Sequence, residues 1–272
     1  MARSKFAGGD QEYLRTEQYA DPSRLARRAG LHARYSTAET GWFPWLAAHV
    51  GLAEGSAVLE VGCGAGWMWA DPDVTVPPGV ELTLTDLSTG MVDEATTRVR
   101  ATVRFGQVHG RVADAMALPF DDRSFDRVVA AHMLYHAPDP AQAVAELGRV
   151  VRADGNVIAA TNGRRHMAQL REIEAAVFGP AVLDDTVEAF GVETGFPILR
   201  DHFREVRWLA FDDELRCTDP ADVLSYVRSM PPGEHASETQ VDELRAAIDQ
   251  RFAVGGGTFV VTKDTGCFIC IA

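Results

Sequence analysis

Long apolar runs are missing from this chain: none approaches the ~20 residues needed to span a bilayer. The opening MARSKFAGGDQEYLR carries basic residues but no apolar stretch of the kind that makes a secretory leader. The expectation is a cytoplasmic protein with no membrane partner. Positive charge is also short, with 26 Lys and Arg against 39 Asp and Glu, a net charge of −13. An acidic surface works against nucleic acid and against anionic membrane, so neither is expected as a partner. Cysteine is scarce, at four: Cys63, Cys217, Cys267 and Cys270. The last two form a C-x-x-C, a spacing often used for metal or redox chemistry. Here it lies in GCFICIA, an apolar, strand-like run, and residues three apart on a strand point to opposite faces. No second C-x-x-C or histidine pair completes a site, so the reading is core thiols and no metal. Internal repeats and low-complexity tracts are absent too.

What is present is ordinary globular material, 46% hydrophobic and 24% charged over 272 residues, enough for one sizeable core. One α/β domain with an added cap fits better than two full domains. In EQYADPSRLARRAGLHARYS, Asp21 reads as a helix N-cap and Pro22 as its first turn. From 56 to 162, short apolar runs alternate with amphipathic ones. SAVLEVG, VELTLTD, VRFGQVHGRVAD, SFDRVVAAH and GNVIAAT read as strands. STGMVDEATTRVRA and DPAQAVAELGRVV have helical period. Asp139–Pro140 reads as a helix start, and Asp154–Gly155 as a stop and turn. Such alternation implies a doubly wound parallel sheet. Beyond 163, residues 164–202 read as helical and irregular, and FREVRWLAFDDELRC as one strand. PADVLSYVRSM and ETQVDELRAAIDQRF read as helices. GTFVVTKDTGCFICIA reads as a closing hairpin turned at Asp264–Thr265–Gly266.

The chemistry-bearing stretch is VLEVGCGAGW, residues 58–67. A strand ending in glycines and feeding a helix is a nucleotide site: glycine permits the tight turn and close ligand approach, and the helix start offers free N–H groups. The glycines are Gly62, Gly64 and Gly66, in G-x-G-x-G spacing. The dinucleotide fingerprint is G-x-G-x-x-G, so the third glycine comes one residue early, which argues against a pyrophosphate clamp. The next strand ends in Asp86, roughly 20 residues on, where an acid accepts from ribose hydroxyls. The third strand ends at Asp114, where an acid can accept from an adenine amine. Either aspartate could instead be a simple strand-end cap, but with the glycines in the same order the pair describes a nucleoside site.

VLEVGCGAG, TDLS, ADAMALPFDDRSFDRVVAAHMLYH and LGRVVRADGNVIAATNG, taken in order, resemble the successive motifs of class I S-adenosylmethionine-dependent methyltransferases. The resemblance is to the bacterial small-molecule branch and covers roughly residues 40–163. It implies a Rossmann-like, seven-stranded α/β sheet whose last strand is antiparallel, a strand the C-terminal segment can supply. It also implies S-adenosyl-L-methionine as cofactor, a small-molecule methyl acceptor such as a specialised metabolite, sugar or quinone-like compound, and direct in-line transfer without metal. In that family Glu60 orients the glycine loop and Asp86 takes the ribose. Leu87 and Met91 flank the adenine, Asp114 and Ala115 meet its edge, and Ala131 and His132 line the methionyl side. The implied layout is an N-terminal helical lid over 1–45, a cofactor-binding core over 46–163, a substrate-side helical cap over 164–202, and the rest of the sheet with inserted helices over 203–272.

HMLYHAPD places His132, Tyr135 and His136 just past strand four. In related O-methyltransferases a histidine at the position matching His136 serves as general base, and the unperturbed pKa of histidine near 6.5 suits it. The alternative is a histidine that only hydrogen-bonds backbone at the turn. Tyr13, Tyr19, His32 and Tyr35 lie on the lid helices, with Tyr19 the one expected to touch cofactor. Trp67 and Trp69 either pack on the ligand or fill the core, and GWFPWL, residues 41–46, reads as linker packed onto the sheet. Asp184, Asp185, Glu188 and Glu193 could attract a cationic acceptor, but read chiefly as a solvated helix face. Two rival functions stand beside methyl transfer: an NAD-type oxidoreductase, and a non-catalytic protein of this fold that regulates a partner. No oligomeric state follows from the sequence.

Overall fold

The computed structural model describes residues 10–13, 23–179, 186–229 and 231–272. Among the described residues nine strands form: β1 Ala57–Val61, β2 Glu81–Asp86, β3 Gln107–Val112, β4 Phe125–Ala131, β5 Val151–Asn162, β6 Glu205–Ala210, β7 Glu214–Cys217, β8 Phe259–Thr262 and β9 Thr265–Ile271. Seven of them make one sheet in the order β3-β2-β1-β4-β5-β9-β6. The strands from β1 to β5 run parallel, and β9 lies antiparallel to both β5 and β6. The sheet is therefore seven-stranded and Rossmann-like, with the last strand of the chain reversed. All five parallel strands end on the same edge, the edge where open α/β sheets bind ligands.

Helices cover both faces. On one side lie α3 Trp42–Val50, α4 Trp67–Ala70 and α5 Thr89–Arg100; on the other, α6 Pro140–Val150 and α9 Val192–Arg200. Alternate strand residues feed the two cores. Leu59, Val128, Ala130, Val157 and Phe268 pack on one face, and Val58, Val129, Ile158 and Ala160 on the other. The start of α6 is as read: the Asp139 side chain accepts from the N–H groups of Ala141 and Gln142, and Pro140 occupies the first turn. Among the described residues no helix is long and apolar enough to cross a membrane.

A smaller lobe has its own core. The ribbon β7–β8 packs with α2 Ser23–Tyr35, α7 Ala168–Phe178, α10 Pro220–Val227 and α11 Glu238–Val254 through Leu31, Leu170, Leu215, Val227, Ile248 and Val261. Its existence corrects two readings. FREVRWLAFDDELRC is two strands, β6 in the large sheet and β7 in the small one, with the break at 211–213. The C-terminal run is not a hairpin, since β8 pairs with β7 and β9 with β5 and β6. Local turn residues are committed elsewhere. Asp264 accepts from Gly163 N–H at 2.7 Å and Arg165 N–H at 3.1 Å, and Asp213 caps Thr37 and Ala38. Two further corrections are local. GWFPWL is the start of α3, with Pro44 in a first turn that needs no donor there. Asp154–Gly155 does not stop α6, which already ends at Val150; the pair sits in an irregular stretch of β5 where the register to β4 jumps. Glu188 and Glu193 do lie at the surface, bonded to Arg164.

Cys267 belongs to one sheet-face cluster and Cys270 to the opposite one, so the C-x-x-C is split across the sheet. All four thiols are free and buried, and burial pushes Cys217, Cys267 and Cys270 up to about 12. A chromogenic thiol reagent should therefore titrate no more than one cysteine in native protein, Cys63, which borders the cavity described below. It should titrate all four after denaturation. Rapid native reaction of two or more would contradict this packing.

Candidate active site

The glycine loop is built by close approach as much as by turning. Gly62, Gly64 and Gly66 all have positive φ, at 69°, 51° and 73°. A Cβ on Gly62 would come within 2.6 Å of Met133 Cβ, and one on Gly66 within 2.8 Å of Ala95 Cα. Neither position has room for a side chain, and L residues rarely adopt that φ. The loop is then fixed by bonds. Cys63 N–H donates to the Thr85 carbonyl at 2.8 Å, Gly66 N–H to the Cys63 carbonyl at 3.0 Å, and Arg98 Nε to the Ala65 carbonyl at 3.0 Å.

Asp86 closes the arrangement. One carboxylate oxygen accepts from Gly64 N–H at 3.0 Å, the other from Ser88 N–H at 2.9 Å. Burial raises its pKa, and the N–H groups of Ser88, Gly64 and Leu87 oppose that rise. Each carboxylate oxygen still has acceptor capacity for a ligand hydroxyl. Glu60 is more deeply buried, at 3% exposure. Its Oε2 accepts from Trp69 Nε1 at 2.7 Å. Trp69 is thus core, while Trp67 borders the cavity.

One cavity of about 820 Å³ runs along this edge. Of the residues expected to hold cofactor, Glu60, Gly62, Gly64, Asp86, Leu87, Asp114, Ala115 and Ala131 line it. Gly66 shapes the loop from behind. Met91 is buried in α5 at 1% exposure and does not border the cavity. Asp114 lies two residues beyond β3 rather than on it, where its Oδ1 accepts from Met116 N–H at 2.9 Å. Tyr19, Asp21, Pro22, Asp184 and Asp185 lie outside the described residues, as does the side chain of Tyr13.

His132, Tyr135 and His136 also line the cavity, at the end of β4 and in the 3₁₀ turn Leu134–His136. His132 has φ 55°, an uncommon conformation for a residue other than glycine. Its ring lies 5.2 Å from that of Trp42. Burial foremost, then Lys263 and His136, lower its pKa to about 4, so it is neutral at physiological pH. Tyr135 and His136 meet edge to face at 4.5 Å.

The opposite wall holds residues that sequence reasoning missed. Lys263, Asp213 and His166 border the cavity, and His32, expected only as a lid residue, joins them. Lys263 and Asp213 form an ion pair at 3.1 Å with side chains only 7% and 1% exposed. Neither sits in a recognisable motif, and they lie 50 positions apart in two inter-strand connections, so only the tertiary fold brings them together. Among the described residues no group of three His, Cys, Asp or Glu is arranged to hold a metal ion.

With this geometry in view, comparison with known proteins is informative. Residues 59–159 match the family profile described as a methyltransferase domain. Methyltransferase GfsG of Streptomyces halstedii is 34% identical over 110 residues, 39% of this chain and 37% of that protein. Demethylmenaquinone methyltransferase of Staphylococcus aureus is 32% identical over 130 residues, 47% of this chain and 52% of that protein. The chain thus spans about half, or less, of the length of these curated relatives. Among solved structures, phosphoethanolamine N-methyltransferase 2 of Haemonchus contortus, in complex with S-adenosyl-L-methionine, superposes with a TM-score of 0.57 at 16% identity. That match covers 96% of this chain and 59% of the other, and shows the fold.

Glu60 generates a stability prediction. Burial pushes its carboxyl up to about 8 from an ordinary 4.5. Between those values the folded protein holds a proton that the unfolded chain has lost, so this group's contribution to stability falls as pH rises through the window. Glu60→Gln keeps the acceptor for Trp69 and has no charge to desolvate. Relative to wild type it should gain more than about 1 kcal/mol in urea denaturation between pH 4.5 and 8. Parallel pH profiles for the two proteins would show that Glu60 is ionised in place.

Proposed function

We propose, for a chain whose residues 59–159 are a methyltransferase domain of the class I small-molecule kind, that it transfers a methyl group from S-adenosyl-L-methionine to a small organic acceptor. The observation that carries this reading is the succession of glycine loop, Asp86 and Asp114 at the tips of β1 to β3, all bordering one cavity. The fit to the cofactor rests on the cradle itself: Gly62 and Gly66 leave space only for backbone, and Asp86 and Asp114 keep acceptor oxygens for ribose and adenine donors. The relatives named above are methyltransferases, and the structural neighbour holds S-adenosyl-L-methionine, which supports the same assignment. When bound, S-adenosyl-L-methionine supplies an electrophilic methyl on a sulfonium that departs as a neutral thioether.

The chain's own residues then do three things. Asp86 orients the nucleoside end and, through Gly64 N–H, holds the loop to it. Trp42, Trp67 and Phe211 wall the cavity with aromatic surface that excludes water, which strengthens positioning of the acceptor. His136 accepts the proton of an acceptor hydroxyl on a ring nitrogen as the oxygen attacks. His132, lowered to about 4 chiefly by burial, acts as a neutral hydrogen-bonding ring. Tyr135 beside His136 can share the proton.

Calorimetric titration should show S-adenosyl-L-methionine and S-adenosylhomocysteine binding in preference to NAD; tight NAD binding with neither of these would overturn the reading. Asp86→Ala should weaken S-adenosylhomocysteine by about 1.5–3 kcal/mol, the range for hydrogen bonds to a charged group. Unchanged affinity with lowered thermal stability would make Asp86 a loop cap only.

With an acceptor identified by product mass spectrometry, His136→Ala should lower kcat by roughly 10²–10⁴ while cofactor affinity barely moves. The defect should shrink at high pH, where the acceptor ionises unaided. Near-normal kcat at neutral pH would remove His136 as base, and no turnover with any acceptor would favour a non-catalytic role.

A further inference from the structure

Four groups that methyl transfer leaves without a task meet on the wall opposite the glycine loop. Lys263 sits in the two-residue crossover between β8 and β9, Asp213 in the break between β6 and β7, His32 on α2, and His166 between β5 and α7. Lys263 Nζ lies 3.1 Å from Asp213 Oδ2, 3.3 Å from His32 Nδ1 and 5.8 Å from the centre of the Phe211 ring. The His32 ring lies 6.3 Å from that of His166 in stacked orientation, and 5.7 Å from Tyr226 edge-on. All six residues border the cavity, where Arg171 and Glu174 of α7 join them.

Asp213 borders the cavity but is anchored through one oxygen: its Oδ1 accepts from Ser36 Oγ at 2.8 Å, Thr37 N–H at 2.9 Å and Ala38 N–H at 3.2 Å. Those bonds spread its charge into the seam between α2 and β7. An ammonium has three N–H groups. His32 Nδ1 accepts one of them, and Asp213 Oδ2 faces the ammonium at ion-pair distance, outside hydrogen-bond geometry. Because His32 Nδ1 accepts from Lys263, a neutral His32 carries its proton on Nε2. His166 Nδ1 accepts from Asp264 N–H at 3.3 Å, which places its proton on Nε2 as well. The positive charge of Lys263 is felt throughout despite its partner. Burial first, then Lys263, holds His32 near 3, and burial, His32 and Lys263 hold His166 well below its ordinary value. A buried cation ringed by neutral N–H donors is what an anionic oxygen needs, since charge-assisted bonds to a desolvated anion are the strong ones.

We propose that Lys263, with the Nε2–H groups of His32 and His166, forms a recognition site for an anionic oxygen, and that the acceptor therefore carries a carboxylate or an ionised phenol or enol. The inference rests on the methyl-transfer reading and names its substrate class. If the anionic oxygen is a phenolate or enolate, it is itself the nucleophile: its lone pair forms the O–C bond as the C–S bond breaks onto sulfur, with no proton left to remove. If it is a carboxylate, it is a handle that orients a hydroxyl elsewhere on the acceptor toward His136.

The test uses binding alone, on the full chain without cofactor. Calorimetry compares 2-naphthoate with its uncharged isostere 2-naphthamide. Wild type should prefer the acid by about 10- to 100-fold, the worth of one charge-assisted hydrogen bond. Lys263→Arg should keep most of that preference. Lys263→Met combined with Asp213→Asn removes the cation without stranding a buried carboxylate, and should abolish it. Spectroscopy of 4-nitrophenol, at a pH where the free compound is mostly neutral, separates the two sources. Growth of the phenolate band on adding protein assigns a phenolate, and an unchanged band with tight naphthoate binding assigns a carboxylate. Equal binding of acid and amide to wild type, no measurable binding of either probe anion, or a preference that survives in the double variant would overturn the proposal. If the double variant does not fold, the wild-type comparison and Lys263→Arg decide, loss of preference in the arginine variant counting against it. Failure of wild type to bind S-adenosylhomocysteine would count against methyl transfer and leave the anion comparison standing.

Discussion

A single hydrogen bond, from the Gly64 N–H to the Asp86 carboxylate at 3.0 Å, joins the tips of two neighbouring parallel strands. Much of the ligand edge depends on it. The loop between β1 and α4 must turn back over the sheet, and its three glycines, all at positive φ, are conformations an unfolded chain gives up at high entropic cost. Anchoring at Asp86 and at Thr85 holds the loop in that shape. The same carboxylate is raised by burial and eased back by three N–H groups. A buried acid that is partly satisfied by backbone and still open to further donors is poised for ligand hydroxyls, and a buried polar group left short of partners is costly.

The second constraint is the seam between lobes. The large sheet cannot reach the far side of the cavity by itself; the helices α2, α7 and α10 with the β7–β8 ribbon supply that wall. The lobe has its own apolar core, but the chain passes between lobes several times, and the crossings at 211–213 and 263–264 each carry a buried charge. Asp213 and Lys263 face each other across them at 3.1 Å. Removing either partner alone would leave a buried charge, which destabilises far more than removing both. The ion pair therefore fixes how the lobes meet, and through His32 it fixes where α2 sits over the cavity.

The sheet was legible in the sequence because its signals are local. Alternating strand and helix periods, Asp139–Pro140 and the glycine run each follow from neighbours within a few residues, and the family resemblance rests on that same stretch. The split C-x-x-C was readable for a similar reason, since strand geometry alone puts residues three apart on opposite faces. The misread segments share the opposite property. FREVRWLAFDDELRC has strand character throughout and GTFVVTKDTGCFICIA reads as two strands about a turn, and nothing local says that each changes sheets midway. The break comes from partners far along the chain: Thr37 and Ala38 for Asp213, Gly163 and Arg165 for Asp264. Lys263 was invisible for that reason as well, an unremarkable lysine until two connections bring it beside Asp213 and His32. GWFPWL, read as linker packed onto the sheet, instead opens α3, whose first turn tolerates Pro44.

What composition could not show at all is the sign of charge inside the cavity. A net charge of −13 describes the whole chain, yet the cavity has an acidic end, with Asp86 and Asp114 at the strand tips, and a basic end at Lys263. His132 feels the Lys263 side: Lys263 and His136 each depress its protonation, and Trp42 packs on its ring. Its φ of 55° is tolerated at a position enclosed by β4, β5 and α3, the kind of strain that persists where surroundings over-determine the backbone. A sulfonium held from the strand tips and an oxyanion beside Lys263 would approach each other between the two, where in-line transfer needs them in contact. Orientation in such a cavity follows from Coulomb's law in a low dielectric, before any shape selectivity acts. Burial lowers His132 to about 4, so this imidazole stays neutral and leaves the charge of that wall to the Lys263–Asp213 pair.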